Sequence, residues 1–323
     1  MINRRCVVSS LAALALLPGC APAQTEAGGE AAPTPQGAAS CKRMAITMDD
    51  FNLSFDKVLS PLDRDAAILA AFAKHNHSAA GFVTGELASP RPQDEARARS
   101  VIERWSDAGH LIGNHTWSHK NASEEDPALI KADILKNHAY LSQFDGYEKI
   151  FRFPFLAEGG QPKKIENYRA FLKAEGFQNG AVTIDSIDWF ISARMEQRIR
   201  DDPSFDLAAY RDYYVRLVVD ISNQKDDLAR RLGLQNLPHS LLMHHNILNG
   251  LFLSDVMDAL AADGWSFIGA REMFAHRLYQ LQPKTPTRGR SVLSVLAQEA
   301  GVDPNFPKLY YGFGKAEMER RGL

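Results

Sequence analysis

No cluster of lysine or arginine stands out in this sequence. Its 37 basic side chains face 39 acidic ones for a formal net charge of −2, whereas a nucleic-acid binder needs a localised basic excess. Nucleic acid is therefore excluded as a partner. Apolar runs long enough to span a bilayer are also missing: the run from Val7 to Leu17 falls well short of the roughly 20 residues a membrane helix needs. There is no internal repeat, and no long low-complexity segment follows residue 41. Cysteine is scarce, with three in the whole chain. What remains, 45% apolar and 24% charged residues over 323 positions, describes an ordinary globular protein that can bury a large core in one or two domains of ~100–200 residues each.

Arg4 and Arg5 precede the apolar run, the pattern of a signal-peptide core. The run ends in Leu17-Pro18-Gly19-Cys20, which resembles the lipobox of bacterial lipoproteins, whose Cys becomes the lipidated first residue of the mature protein. The resemblance implies a signal peptide at 1–20, lipidation of Cys20, and export to a bacterial membrane facing the periplasm or the outside; a plain secretory signal is the alternative. At ~0.8 kcal/mol per buried CH₂, three acyl chains anchor a protein firmly. Residues 21–41, rich in Ala, Gly, Pro and Thr, read as a flexible tether. Cys6 would leave with the signal and Cys20 would carry lipid, so Cys41 is expected to stand alone.

After the tether, short apolar runs alternate with amphipathic stretches. Strands are expected at 43–48, 80–83, 111–113, 150–153, 181–184, 240–243 and 265–268. Helices are expected at 63–75, with Ala67, Leu69, Ala70 and Phe72 as the apolar side, and at 94–108, 127–144, 163–175 and 254–262. This rhythm implies parallel strands with covering helices. It breaks over about 190–238, a charged and largely helical stretch read as an insertion or long crossover that shapes a cleft. A short apolar helix is expected at 292–300 in the tail.

The chemistry-bearing residues sit at strand ends. Ala45-Ile46-Thr47-Met48 runs into Asp49-Asp50, and because strand side chains alternate faces, both carboxylates serve one site only where the backbone turns, at Phe51-Asn52. Alone, such a pair is a solvated loop start. His115-Thr116-Trp117-Ser118-His119 follows another strand; residues four apart share a helix face, so two imidazoles can converge on one metal ion. With an Asp this makes the two-His, one-carboxylate set of hydrolytic zinc. In Arg152-Phe153-Pro154-Phe155 the proline lacks an N–H and leaves that of Phe155 as the next donor. Asp185-Ser186-Ile187-Asp188-Trp189 and Leu242-Met243-His244-His245 close two more strands. In a parallel α/β barrel all such ends lie at one face.

In this order the five clusters resemble the motifs of the polysaccharide deacetylases, the carbohydrate esterase family of the nodulation-type deacetylase homology domain. The likeness spans about 43–270. It implies an α/β fold, a distorted, incomplete (β/α) barrel at 42–275 with the insertion at about 190–238, followed by a C-terminal extension at 276–323. It also implies Asp50, His115 and His119 as metal ligands, Asp49 as general base held by Arg152, and His244 as general acid oriented by Asp188. Pro154 and Phe155 would frame the oxyanion donor, Trp189 would wall the groove and Leu242 would line the acetyl-methyl pocket. The metal, zinc first with cobalt, nickel or manganese as alternatives, would polarise the amide carbonyl and acidify a water; Asp49 would take its proton while His244 protonates the departing amine.

Three positions depart from the family: Phe51 stands where Gly is common, His245 where Asp is common, and Phe155 where Tyr is common, the last without consequence if only its backbone is used. Strand alternation puts Leu242 and His244 on one face and Met243 and His245 on the other. The expected activity is removal of N-acetyl groups from amino sugars of a cell-envelope or exported polysaccharide, with the membrane met through the lipid anchor and no obligate protein partner. The alternatives are an amidase or O-acetyl esterase of the same fold, or a catalytically silent, lipid-tethered polysaccharide-binding protein.

Overall fold

A computed structural model describes residues 41–53, 58–89, 91–304 and 314–323. The expected signal segment, Cys20 and residues 21–40 of the tether lie outside them. No helix among the described residues is long and apolar enough to cross a membrane.

Residues Lys42–Leu323 form one compact unit built on eight strands: β1 (Lys42–Asp50), β2 (Ala80–Val83), β3 (Leu111–Asn114), β4 (Tyr147–Phe151), β5 (Gln178–Asn179), β6 (Ile184–Asp185), β7 (Pro238–His244) and β8 (Trp265–Phe267). Their order is β5-β4-β3-β2-β1-β7-β6, with β8 paired to the start of β1. All pairs are parallel. The sheet curls into a half-barrel with helices around it, as the motif order implies. β1 is its spine, buried from Met44 to Asp49. On one edge β8 pairs with Lys42–Met44 and β2 with Thr47–Asp50, while β7 runs along the other edge. The β1–β7 register sets Thr47 beside Leu242 and Asp49 beside His244.

Several expected elements differ. The single strand at 181–184 is two short ones, β5 and β6, because the chain changes partner between them: Gly180 N–H bonds Phe151 O on the β4 side, and Thr183 N–H bonds Ser240 O on the β7 side. Helix Pro61–Lys74 buries Arg64, Asp65, Ile68, Ala71 and Phe72, while Ala70 is exposed. Its inner face is rotated because Asp65 is used inside, accepting from Trp105 Nε1 at 2.7 Å and meeting His245 Nε2 at 3.2 Å. The 190–238 stretch forms helices Asp188–Asp201 and Ala208–Arg231, and the second buries Tyr210, Tyr214, Val218 and Leu228. Because β6 and β7 are adjacent and parallel, this stretch is their crossover, packed on the core.

The tail closes the seam that the sheet leaves open. Leu278, Tyr279, Val292, Leu293 and Ala297 join one hydrophobic cluster with Ala45, Ala80 and Phe82. Val292 N–H bonds Val182 O at 2.8 Å between β5 and β6, Arg169 Nη1 bonds Pro283 O at 2.8 Å, and Thr287 Oγ1 bonds Leu156 O at 2.6 Å.

Candidate active site

The backbone turns at Asp50 itself, one residue earlier than expected: Asp50 has φ 77° and Phe51 φ 54°. Asp49, still on the strand and 2% exposed, and Asp50 thereby line one groove. Left-handed backbone disfavours a side chain, which is the physical reason glycine suits the position after the Asp pair. Here Phe51 fills it and offsets that strain by full burial, edge-on to Trp105 at 4.8 Å and stacked on His245 at 5.0 Å. Gly81 leaves room for the ring, since a Cβ there would lie 2.5 Å from Phe51 Cζ.

His115 and His119 do converge, but not on a helix. The segment between them is irregular, with positive φ at Thr116 and His119. Side chains replace the missing helical bonds: Asn114 Oδ1 accepts Thr116 N–H at 2.9 Å, Thr116 Oγ1 accepts His119 N–H at 3.0 Å, and Asp133 Oδ2 accepts Trp117 N–H and Ser118 N–H at 3.0 and 2.9 Å. Asn137 fastens this loop to the sheet through Val83 O and Asn114 Oδ1. Neither Asp133 nor Asn137 was visible as a site residue, because their spacing from the histidines carries no motif.

One ligand atom from each of Asp50, His115 and His119 lies within 4.8 Å of the others. Asp50 Oδ1 is 3.5 Å from His115 Nε2 and 3.0 Å from His119 Nε2, yet it is buried without a well-formed hydrogen bond. His115 Nδ1 donates to Arg152 O at 2.9 Å, so in the neutral ring the Nε2 lone pair faces the carboxylate. Electron pairs aimed at one point fit a shared cation, with the second ring nitrogen anchored as metal-binding histidines require.

Arg152 lies in the interior. It is 1% exposed, with Nη1 on Asp49 Oδ1 at 2.5 Å and on Thr47 Oγ1 at 2.9 Å, Nε on Gly180 O at 2.8 Å, and its guanidinium 3.9 Å over the Phe82 ring. Phe155 has φ 58°, a rare backbone state for a side-chain-bearing residue. Pro154 precedes it in a short 3₁₀ turn. The Phe155 ring is 56% exposed and meets His119 edge-on at 4.7 Å.

Across the groove, His244 Nδ1 lies 2.7 Å from Asp188 Oδ1. Fully buried Asp188 also accepts at Oδ2 from His244 N–H at 2.8 Å, Asn246 Nδ2 at 2.8 Å and Asn249 Nδ2 at 2.6 Å. Burial alone would depress the His244 pKa, but the charge and hydrogen bond of Asp188, with the Asp50 and Asp49 charges, raise it to about 10. His245 points the other way, into the core against Phe51 and Asp65. Strand alternation thus separates the two imidazoles as expected.

The groove encloses about 840 Å³ and is lined by Asp49, Asp50, His115, His119, Phe155, Trp189, Leu242 and His244; Arg152 and Asp188 stand behind it. Arg288 and Gly289 from the tail also line it, and no sequence motif marks them.

Residues 36–173 match the family model described as polysaccharide deacetylase. That stretch holds the Asp pair, both histidines, Arg152 and Phe155, while Asp188 and His244 lie beyond it. A peptidoglycan-N-acetylglucosamine deacetylase of Bacillus cereus is 29% identical over 146 residues, covering 45% of this chain and 46% of that protein. An uncharacterized 30.6 kDa protein of Geobacillus stearothermophilus is 25% identical over 138 residues, covering 42% of this chain and 47% of that protein. The chain thus spans about half the length of the curated relatives it matches. A solved polysaccharide deacetylase from Bacillus cereus superposes with a TM-score of 0.52 at 18% identity, over 73% of this chain and 94% of that one, which shows the fold. Residues 36–173 are thus similar to the polysaccharide deacetylase family model, and the same stretch carries an Asp-His-His cluster suited to a metal.

Proposed function

We propose that this chain is a metal-dependent N-deacetylase acting on N-acetylated amino sugars of a cell-envelope or exported polysaccharide. The observation that carries this is the sharing of one groove by the Asp50-His115-His119 cluster, Arg152-held Asp49 and His244, which Asp188 backs from behind. Asp50, His115 and His119 would hold the metal, zinc first, which when bound supplies Lewis acidity for the amide carbonyl and the attacking water. Asp49, fixed by Arg152, takes a proton from that water as its oxygen bonds the acetyl carbon. The Phe155 N–H, bonded to no described protein group, donates to the developing oxyanion. His244, kept charged by Asp188, protonates the amine as the C–N bond breaks, leaving acetate and a free amino sugar. Trp189 and Phe155 offer the sugar two apolar walls, and Leu242 offers the methyl its pocket.

Phe51 and His245, the two departures that motivate a silent binding protein, pack in the core and leave the groove unaltered. The test is acetate release from N-acetylglucosamine oligomers by the full chain, metal-loaded against chelator-stripped. Release restored by metal supports the proposal; none at any metal loading sinks it, and parallel O-acetyl substrates identify an esterase. Lipidation of Cys20 and export to the cell envelope are proposed with it, resting on the lipobox resemblance. The intact mass of the mature protein from a bacterial host checks both.

A further inference from the structure

Among the described residues Arg288 is the one arginine or lysine lining the groove. It is exposed, and among the described residues no carboxylate pairs with it; its Nη2 bonds Gly160 O at 3.1 Å. An exposed arginine on a mobile loop would be ordinary hydrated surface, but this one is fixed from both sides. Thr287 Oγ1 and Gly289 N–H both donate to Leu156 O, at 2.6 and 3.3 Å, and Arg288 itself has φ 48°, a state that restricts its backbone further. The loop abuts the turn that bears the candidate oxyanion donor, since a Cβ on Gly289 would lie 3.5 Å from Phe155 O. On its other side a Cβ on Gly160 would lie 3.1 Å from Ser123 Oγ, so a hydroxyl borders the guanidinium's anchor. The three acids lining the groove are otherwise occupied: Asp49 by Arg152, Asp50 by the histidine pair, and Asp185 by the Ile187 N–H at 2.9 Å.

We propose that Arg288 forms a subsite for a carboxylate carried by the sugar adjoining the one that presents its acetamide, so that the preferred polymer is an anionic glycan. This rests on the N-deacetylase proposal. A guanidinium presents paired N–H donors that match a planar carboxylate, and one cation matches one negative charge. The contact is partly solvated, so it is strongest at low ionic strength.

The experiment uses the full chain and peptide-free glycan strands in which N-acetylglucosamine alternates with its 3-O-carboxyethyl ether, either as free acid or with every carboxyl methyl-esterified. Acetate release is measured for wild type and Arg288→Gln, and affinity for both strands is titrated through tryptophan fluorescence. The subsite requires wild type to favour the free acid about tenfold, the lower end of what a charged hydrogen bond contributes, and Arg288→Gln to bring the ratio close to one. Equal handling of acid and ester by wild type overturns it, as does a preference that survives Arg288→Gln. Loss of acetate release from every substrate would sink the deacetylase proposal alone. The affinity ratio would still decide the subsite.

Discussion

The Tyr214 hydroxyl donates to Asn249 Oδ1 at 2.7 Å, and that bond turns the Asn249 amide nitrogen onto Asp188 Oδ2 at 2.6 Å. Asn249 also binds His244 O at 2.9 Å. The long β6–β7 crossover therefore reaches the His244-Asp188 pair through one amide whose orientation it fixes. Tyr214→Phe should free that amide to flip, lower kcat several-fold and cost about 1 kcal/mol of stability. A kcat equal to wild type would show that Asn249 needs no such anchor.

His244 predicts the alkaline limit of activity. Its pKa is raised to about 10, so the imidazolium needed to protonate the leaving amine persists through neutral pH and is lost as pH rises through that value. Asp188→Asn removes the charge that raises it. The alkaline limb of the kcat/KM profile should then fall toward or below pH ~6.5, the ordinary histidine value, with kcat down roughly 10²-fold or more. A limb that stays put would assign the acid to another group.

Asp50→Ala or His119→Ala should abolish tight metal uptake, measured by metal content after dialysis, and with it acetate release. Asp133→Ala is the finer test. Asp133 touches neither the groove nor the ligand atoms but ties down the 117–118 backbone, so metal affinity should fall about 10- to 100-fold while circular dichroism stays native. Unchanged affinity would mean that Asn114 and Thr116 hold the loop unaided.

The parts of this site that the sequence displays are those where strand alternation and strand ends do the placing. Asp49 beside His244, and His245 turned from His244, follow from a period of two and a parallel register. The Asp50, His115 and His119 set was legible as a ligand set but not as a shape: the helix expected between the histidines is a loop held by Asn114 and Asp133, whose bonds span up to 16 residues and leave no periodic trace. Phe51 looked like a doubtful substitution for glycine because its partners, Gly81, Trp105 and His245, are far along the chain. The tail was unreadable for the same reason, since Arg288 acquires meaning only where its loop meets Leu156.

Phe51 makes that point testable. Phe51→Ala keeps the left-handed backbone but empties the space between Trp105 and His245 and should cost ~3–5 kcal/mol. Phe51→Gly relieves the backbone while leaving the same void, so it should be less destabilised than the alanine variant by roughly 1 kcal/mol. Urea midpoints for both variants measure the difference. Alanine matching or exceeding glycine would mean that φ 54° carries no strain here.

Two buried histidines set the acid limit of stability. His77 Nε2 accepts Ile46 N–H at 3.0 Å and His110 Nδ1 accepts Ala79 N–H at 3.1 Å, and both rings lie edge-on to Phe72. Burial pulls His77 to about 3 and His110 to about 4. Both folded values lie below the unfolded ~6.5, so between those limits the unfolded chain binds more protons and stability must fall as pH falls. The contribution is complete above about pH 6.5 and is lost on the way down to the folded values, at up to ~1.4 kcal/mol per pH unit for each ring. His77→Gln retains an acceptor for Ile46 N–H without the titration. Urea unfolding between pH 7 and pH 4 should therefore show a shallower decline for His77→Gln than for wild type, whatever its stability at pH 7. Parallel declines would place the acid sensitivity elsewhere in the fold.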